Sequence, residues 1–141
     1  MTALLLDPIY QQHDPGPGHP ESVKRHVAIT QALKDAGLVG KTRGIAPRAA
    51  TLDELALCHD RGYIATAKTD VESGRDDLST GDTAICDRSY DVAVQAVGGV
   101  LNAVDAVFAA SGVSPQYRDA TLVGRCRVTA APPPLLTLRW E

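Results

Sequence analysis

The stretch Ala3-Leu4-Leu5-Leu6-Asp7-Pro8, followed by His13-Asp14-Pro15-Gly16-Pro17-Gly18-His19-Pro20-Glu21, decides how the chain is read. Four apolar residues closed by Asp-Pro predict a short buried strand. Prolines 15, 17 and 20 fix their own φ and extend the residues before them, while Gly16 and Gly18 accept backbone angles that side chains oppose. The expectation is a stiff, exposed loop. A polar loop directly after a buried strand is where open α/β proteins assemble their sites.

The loop holds two imidazoles and two carboxylates within nine residues. His13 and His19 with Asp14 or Glu21 offer either metal donors or an acid/base pair. The spacing fits neither the short pairs nor the four-residue helical step usual for zinc. The simpler reading is a turn-rich loop that shapes a pocket wall and whose side chains hydrogen-bond one another.

A chain of 141 residues is enough for one domain. Hydrophobic residues at 44% and charged residues at 22% are ordinary for a soluble globular protein. With a net charge of -3 and no Lys/Arg cluster interleaved with aromatics, no nucleic-acid partner is expected. Cys58, Cys86 and Cys126 are odd in number and widely spaced, which predicts reduced thiols in a cytoplasmic setting. The first residues lack the basic start and long apolar run of an export signal. The most apolar later segment is interrupted by Asn102 and Asp105, so no membrane span is expected.

Along the chain, Pro20 and Gly37 bracket a helix over residues 20 to 36, with Ile29, Leu33 and Ala36 on one stripe and Val23 and Val27 at its flank. Lys24, Arg25, Lys34 and Asp35 form its solvated side. A short strand is expected within residues 41 to 46. Thr51 and Glu54 have capping-box spacing and open a short helix that ends near Cys58-His59-Asp60, with a second beginning near Gly62. His59 at this junction reads as a cap or packing residue ahead of a ligand or base. Residues 73 to 88 are a long loop. From Ser89, Ala93, Ala96, Val97, Val100, Leu101, Val104, Val107 and Phe108 recur at helical steps and give the clearest helix of the chain. Gly98-Gly99 inside it, at about 1 kcal/mol each against alanine, implies close packing on another element. No internal repeat is visible.

Three pieces in order, the 13–21 loop with Arg25, Cys58-His59-Asp60-Arg61-Gly62-Tyr63-Ile64, and Gly81-Asp82-Thr83-Ala84-Ile85 leading to Ser89-Tyr90 and the 93–99 helix, resemble the amino-terminal third of the histone deacetylase family. The bacterial members grouped with acetoin-utilisation and acetylpolyamine deacetylases are the nearest in kind, and the likeness covers about residues 3 to 110. The resemblance implies the amino-terminal part of a three-layer α/β/α, arginase-like fold with a parallel sheet, helix-rich as it stands. It implies a parent activity in which zinc and a histidine cleave the amide of an acetylated lysine or a small acetylated amine. It also implies that the 13–21 loop, with His13, Asp14, His19 and Glu21, borders the pocket mouth. Asp82 matches a rim aspartate that accepts hydrogen bonds from substrate backbone amides.

The chain departs from the family beyond its long helix. The family's paired catalytic histidines, in a Pro-Gly-His-His context, and its zinc-binding aspartates and histidine have no counterpart in this sequence. Residues 1–113 therefore read as a partial deacetylase-like domain, without catalytic or metal residues and with no cofactor of its own. Residues 114–141 read as a divergent tail, either frameshifted or disordered. Three functions are compatible with this reading: a deacetylase-derived chain that holds part of the substrate mouth and is inactive alone; a small non-catalytic binding module, associating with a full-length relative; and, last, a metal hydrolase using His13, His19 and Glu21.

Overall fold

The computed structural model describes residues 2–111. Two parallel strands, β1 (Ala3–Leu4) and β2 (Arg43–Gly44), pair with Ala3 opposite Arg43 and Leu4 opposite Gly44. Four helices accompany them: α1 (Val23–Asp35), α2 (Leu52–Leu55), α3 (Arg61–Glu72) and α4 (Ser89–Ser111). The architecture is α/β, helix-rich, with a small parallel sheet, as the sequence leads one to expect. β1 is half-buried, not buried, and the chain coils into a 3-10 turn over Pro8–Gln12 shortly after it.

Helix α1 begins three residues later than Pro20 suggests. The His19 ring nitrogen Nδ1 accepts the Glu21 backbone N–H at 3.1 Å, a local turn that holds residues 19–21 outside the helix. Its far end is as expected: Gly37 sits at φ 64°, and Gly37 N–H to Lys34 O with Leu38 N–H to Leu33 O closes the last turn. Lys24, Arg25, Lys34 and Asp35 are all exposed.

The capping box at Thr51 and Glu54 forms in both directions and opens the single turn of α2. Glu54 also takes a two-pronged pairing from Arg48, at 2.8 and 2.6 Å. Asp60 caps α3 by accepting from Gly62 N–H and Tyr63 N–H. His59 lies against Tyr63, ring centroids 5.5 Å apart, in the packing role. Ala50, Leu55 and Ile64 form the buried cluster, with Tyr90, Val94 and Val97 of α4 against it.

Helix α4 packs against β1, the 8–12 turn and α3. A Cβ at Gly98 would overlap the Arg48 carbonyl oxygen and stand 2.7 Å from the Ala50 nitrogen. A Cβ at Gly99 would overlap Leu5 Cδ2 and stand 2.9 Å from the Tyr10 hydroxyl. The close packing implied by the glycine pair is therefore real on both sides: backbone of the 48–50 strap on one, β1's continuation on the other. Ala50 N–H donates to Val94 O at 3.0 Å through the gap that Gly98 leaves. One turn further on, Asn102 donates to Ala46 O and accepts from Arg48 Nε. By length and composition the stretch Ser89–Ala109 is long and apolar enough to cross a membrane, Asn102 and Asp105 notwithstanding. Here it carries the strap and the core cluster.

Gly98→Ala separates packing from helix propensity. In an exposed helix the change is stabilising by up to about 1 kcal/mol; against the Arg48 carbonyl it is expected to destabilise by about 1–3 kcal/mol, read as a lowered melting temperature of the full chain.

The strap carries a pH signature. The Arg48 guanidinium, then the Thr51 backbone N–H, hold the Glu54 carboxyl down at about 2 from an ordinary 4.5. A depressed folded pKa means that this contribution is whole above pH 4.5 and is lost as pH falls toward about 2. Glu54→Gln is expected to lower the melting temperature at neutral pH and to flatten its fall across that acid window.

Candidate functional site

A cleft of about 510 Å³ opens between the 14–16 segment, the 74–76 turn that leaves α3, and residues 85–87 just before α4. Asp14, Asp76 and Asp87 face it together with Arg75 and Cys86. The cation is already engaged: Arg75 Nε lies 3.6 Å from the Asp70 carboxylate and donates to the Asp77 carbonyl. The cleft wall is thus acidic in balance.

The loop reaches this position because residues 12–14 are tied to the start of α4. His13 Nδ1 lies 2.7 Å from Ser89 Oγ, and His13 Nε2 lies 3.7 Å from Glu21 Oε2. Asp14 N–H donates to Cys86 Sγ, and Cys86 Sγ donates to Gln12 O. Arg88 Nε adds a bond to Gln12 Oε1 at 3.0 Å. Within the loop, Asp14 Oδ1 accepts Gly16 N–H, and Gly16 and Gly18 adopt φ of 97° and 84°. The loop is less exposed than its composition suggests: His13, Pro15 and Gly16 are half-buried.

Asp82 stands elsewhere in the same region. Residues 77–84 fold back as a narrow hairpin, with Asp77 bridging Ala84 and Leu78 N–H donating to Thr83 O. Asp82 is exposed near its tip, outside the cleft lining. The hairpin's base, where Ile85 N–H donates to Asp76 O, is itself cleft wall.

Asp70 anchors this hairpin from α3. Its Oδ2 accepts both the backbone N–H and the hydroxyl of Ser79, at 2.8 and 2.7 Å. A carboxylate in the last turn of a helix opposes the helix dipole, so these donors are what make the position tolerable. The Ser79 backbone N–H, then its hydroxyl, hold the Asp70 carboxyl below its ordinary range.

Of the residues singled out in the sequence, Asp14 lines the cleft, and its neighbour His13 lies 3.7 Å from Glu21 outside that lining. His19 is exposed and turned onto its own loop backbone. Among the described residues no group of three His, Cys, Asp or Glu side chains is arranged to hold a metal ion. His13 directs one nitrogen to Ser89 and the other toward Glu21, so these residues do not fit a zinc site. Sequence reading misses Ser89, Cys86, Arg88, Gln12 and Asp70. The signal for them is weak: a serine at the first residue of a strong helical pattern is an ordinary helix start.

A sequence profile described as the histone deacetylase domain matches residues 19–125. His19, Glu21 and Asp82 lie inside that match, and His13 and Asp14 precede it. Histone deacetylase 10, chloroplastic, of Oryza sativa subsp. japonica is 31% identical over 109 residues, which cover 70% of this chain and 25% of that protein. An uncharacterized protein of Synechocystis is 34% identical over 110 residues, covering 76% of this chain and 36% of its own length. The matched region thus spans between a quarter and about a third of these relatives.

Asp70→Ala leaves the Ser79 N–H and hydroxyl without the one carboxylate oxygen that accepts both. The Ser79 and Leu78 amides are expected to exchange with solvent roughly tenfold faster, while α1 amides keep their protection; hydrogen-exchange NMR reads both.

Proposed function

The chain belongs to the histone deacetylase family, and from that membership we propose that it forms part of the substrate mouth of a deacetylase acting on an acetylated lysine or a small acetylated amine. The observation that carries this reading is the joining of two loops to one cleft. The 13–21 loop supplies one wall with Asp14, and the base of the Asp82 hairpin supplies another with Asp76 and Ile85. An exposed carboxylate at a hairpin tip can accept two N–H groups at once and so orient a ligand backbone outside the cleft. The acidic balance of the wall suits an amine-derived ligand that carries further positive charge.

Zinc supplies the hydrolytic chemistry that the resemblance implies for the family. The described residues do not fit the ion, so no hydrolytic step is assigned to them. We propose that the chemistry resides in parts of the family domain with no counterpart in these 141 residues, and that the chain alone does not cleave amides. Exposed Leu52, Leu57 and Val107 support a second role in the same setting, association with a longer relative through α2, the turn just after it, and α4. Cys58 and Cys86 are free thiols, in keeping with a reducing compartment, for which we propose the cytoplasm.

Titration of the chain with the methylamide of Nε-acetyl-lysine, followed by NMR, tests the reading. Shift changes are expected at Asp14, Asp76 and Asp82, with no acetate released. Asp82→Ala is expected to weaken binding roughly tenfold, the loss of one charged acceptor. Absence of any shift at the cleft would remove the mouth assignment; acetate release by the isolated chain would overturn its inactivity.

A further inference from the structure

We propose that Ser89 is the positioning residue of the mouth: its hydroxyl selects the tautomer of His13 and through it fixes the 12–14 segment on which the cleft is built. The cleft's role rests on the deacetylase reading, whereas the tautomer and the loop position do not.

Ser89 Oγ is a hub. It accepts the Cys86 backbone N–H at 2.7 Å, lies 2.7 Å from His13 Nδ1, and stands 3.4 Å from Cys86 Sγ. A hydroxyl has one proton and two lone pairs. With one lone pair taken by Cys86 N–H, the hydroxyl proton has two acceptors in reach, His13 Nδ1 at 2.7 Å and Cys86 Sγ at 3.4 Å. The shorter contact, and the Glu21 carboxylate on the Nε2 side that favours a protonated nitrogen there, assign it to His13 Nδ1. That nitrogen is then an acceptor, so the neutral imidazole carries its proton on Nε2, directed toward Glu21 Oε2 at 3.7 Å. The Cys86 thiol keeps its own proton for Gln12 O and accepts Asp14 N–H, both at 3.4 Å. The series runs from α4 to His13 through hydrogen bonds, and its last step, His13 Nε2 to Glu21 Oε2 at 3.7 Å, is an electrostatic contact.

The rigid partner in this series is α4, fixed by its glycine contacts to the strap and to Leu5. His13 and Ser89 are 76 residues apart in sequence, so their contact closes a long loop. The remaining ties are the Arg88–Gln12 bond and two contacts to sulfur, a weak donor and acceptor. Loss of the Ser89 hydroxyl therefore removes the bond that orients the His13 ring.

Long-range nitrogen NMR of the full chain at neutral pH reads the His13 tautomer directly, with wild type, Ser89→Ala and Ser89→Thr compared. The expected results are a protonated Nε2 in wild type and Ser89→Thr, mixed tautomers in Ser89→Ala, and an Asp14 amide that exchanges roughly fivefold faster in Ser89→Ala only, the loss of about one net hydrogen bond. Wild type with its proton on Nδ1 would overturn the assignment without any variant. So would a folded Ser89→Ala chain with wild-type tautomer and exchange. Titration with the acetyl-lysine methylamide separates the two ideas: a wild type that does not bind it sinks the mouth reading, while tautomer and exchange still decide the role of Ser89.

Discussion

The contact on which the structure depends is backbone against backbone at Gly98. A peptide segment, residues 48–50, lies so close to α4 that a single methyl group would meet the Arg48 carbonyl oxygen. That proximity lets Ala50 N–H reach the Val94 carbonyl and lets Arg48 serve Asn102 and Glu54 together. Ala50 then becomes part of the buried cluster with Leu55 and Ile64. The glycine's cost in helix propensity, about 1 kcal/mol, is offset by a joint that no side-chain contact of this thickness would permit.

From that joint the functional region takes its shape. With α4 held along its middle by the strap and by Leu5, its first residue is a fixed point in space. Ser89 ties the 12–14 segment there, and residues 85–87 enter it from the hairpin. Neither loop has a core of its own: Ile85 is the buried apolar residue of its segment, and the 13–21 loop contributes none. Their shape is set instead by hydrogen bonds to helix ends, Ser89 at the start of α4 and Asp70 at the end of α3.

This division explains what is legible in the sequence. The helical steps after Ser89, the capping box at Thr51, the Gly37 stop and the meaning of Gly98-Gly99 all rest on local chemistry, and each is realised. The start of α1 is not legible in the same way: Pro20 is compatible with a first turn, yet His19 captures the Glu21 N–H and delays the helix. The candidate site is half legible. His13, Asp14 and Glu21 are conspicuous by composition, but their partners Ser89 and Cys86 lie more than 70 residues away from His13 and Asp14, and no local rule connects a loop histidine to the first residue of a distant helix. Asp70 is hidden for the opposite reason, being one of two acidic residues at the end of an ordinary helix. The expectations for residues 112–141, including the divergent tail, lie outside the described residues.

Family membership and the lack of a fitting metal site among the described residues are consistent once binding and chemistry are treated as separable demands. A binding cleft needs walls at fixed positions, and hydrogen bonds to helix ends supply them within some 110 residues. A hydrolytic ion needs several donors converging on one point, with each donor free to face it. His13 cannot meet that demand while both its nitrogens are directed at Ser89 and Glu21, and His19 cannot while it closes its own turn. The residues that most resemble metal ligands in this chain are committed to shaping the loop. Imidazole and carboxylate are suited to that work because each offers directional acceptors, and a loop rich in proline has few backbone N–H groups with which to fix itself.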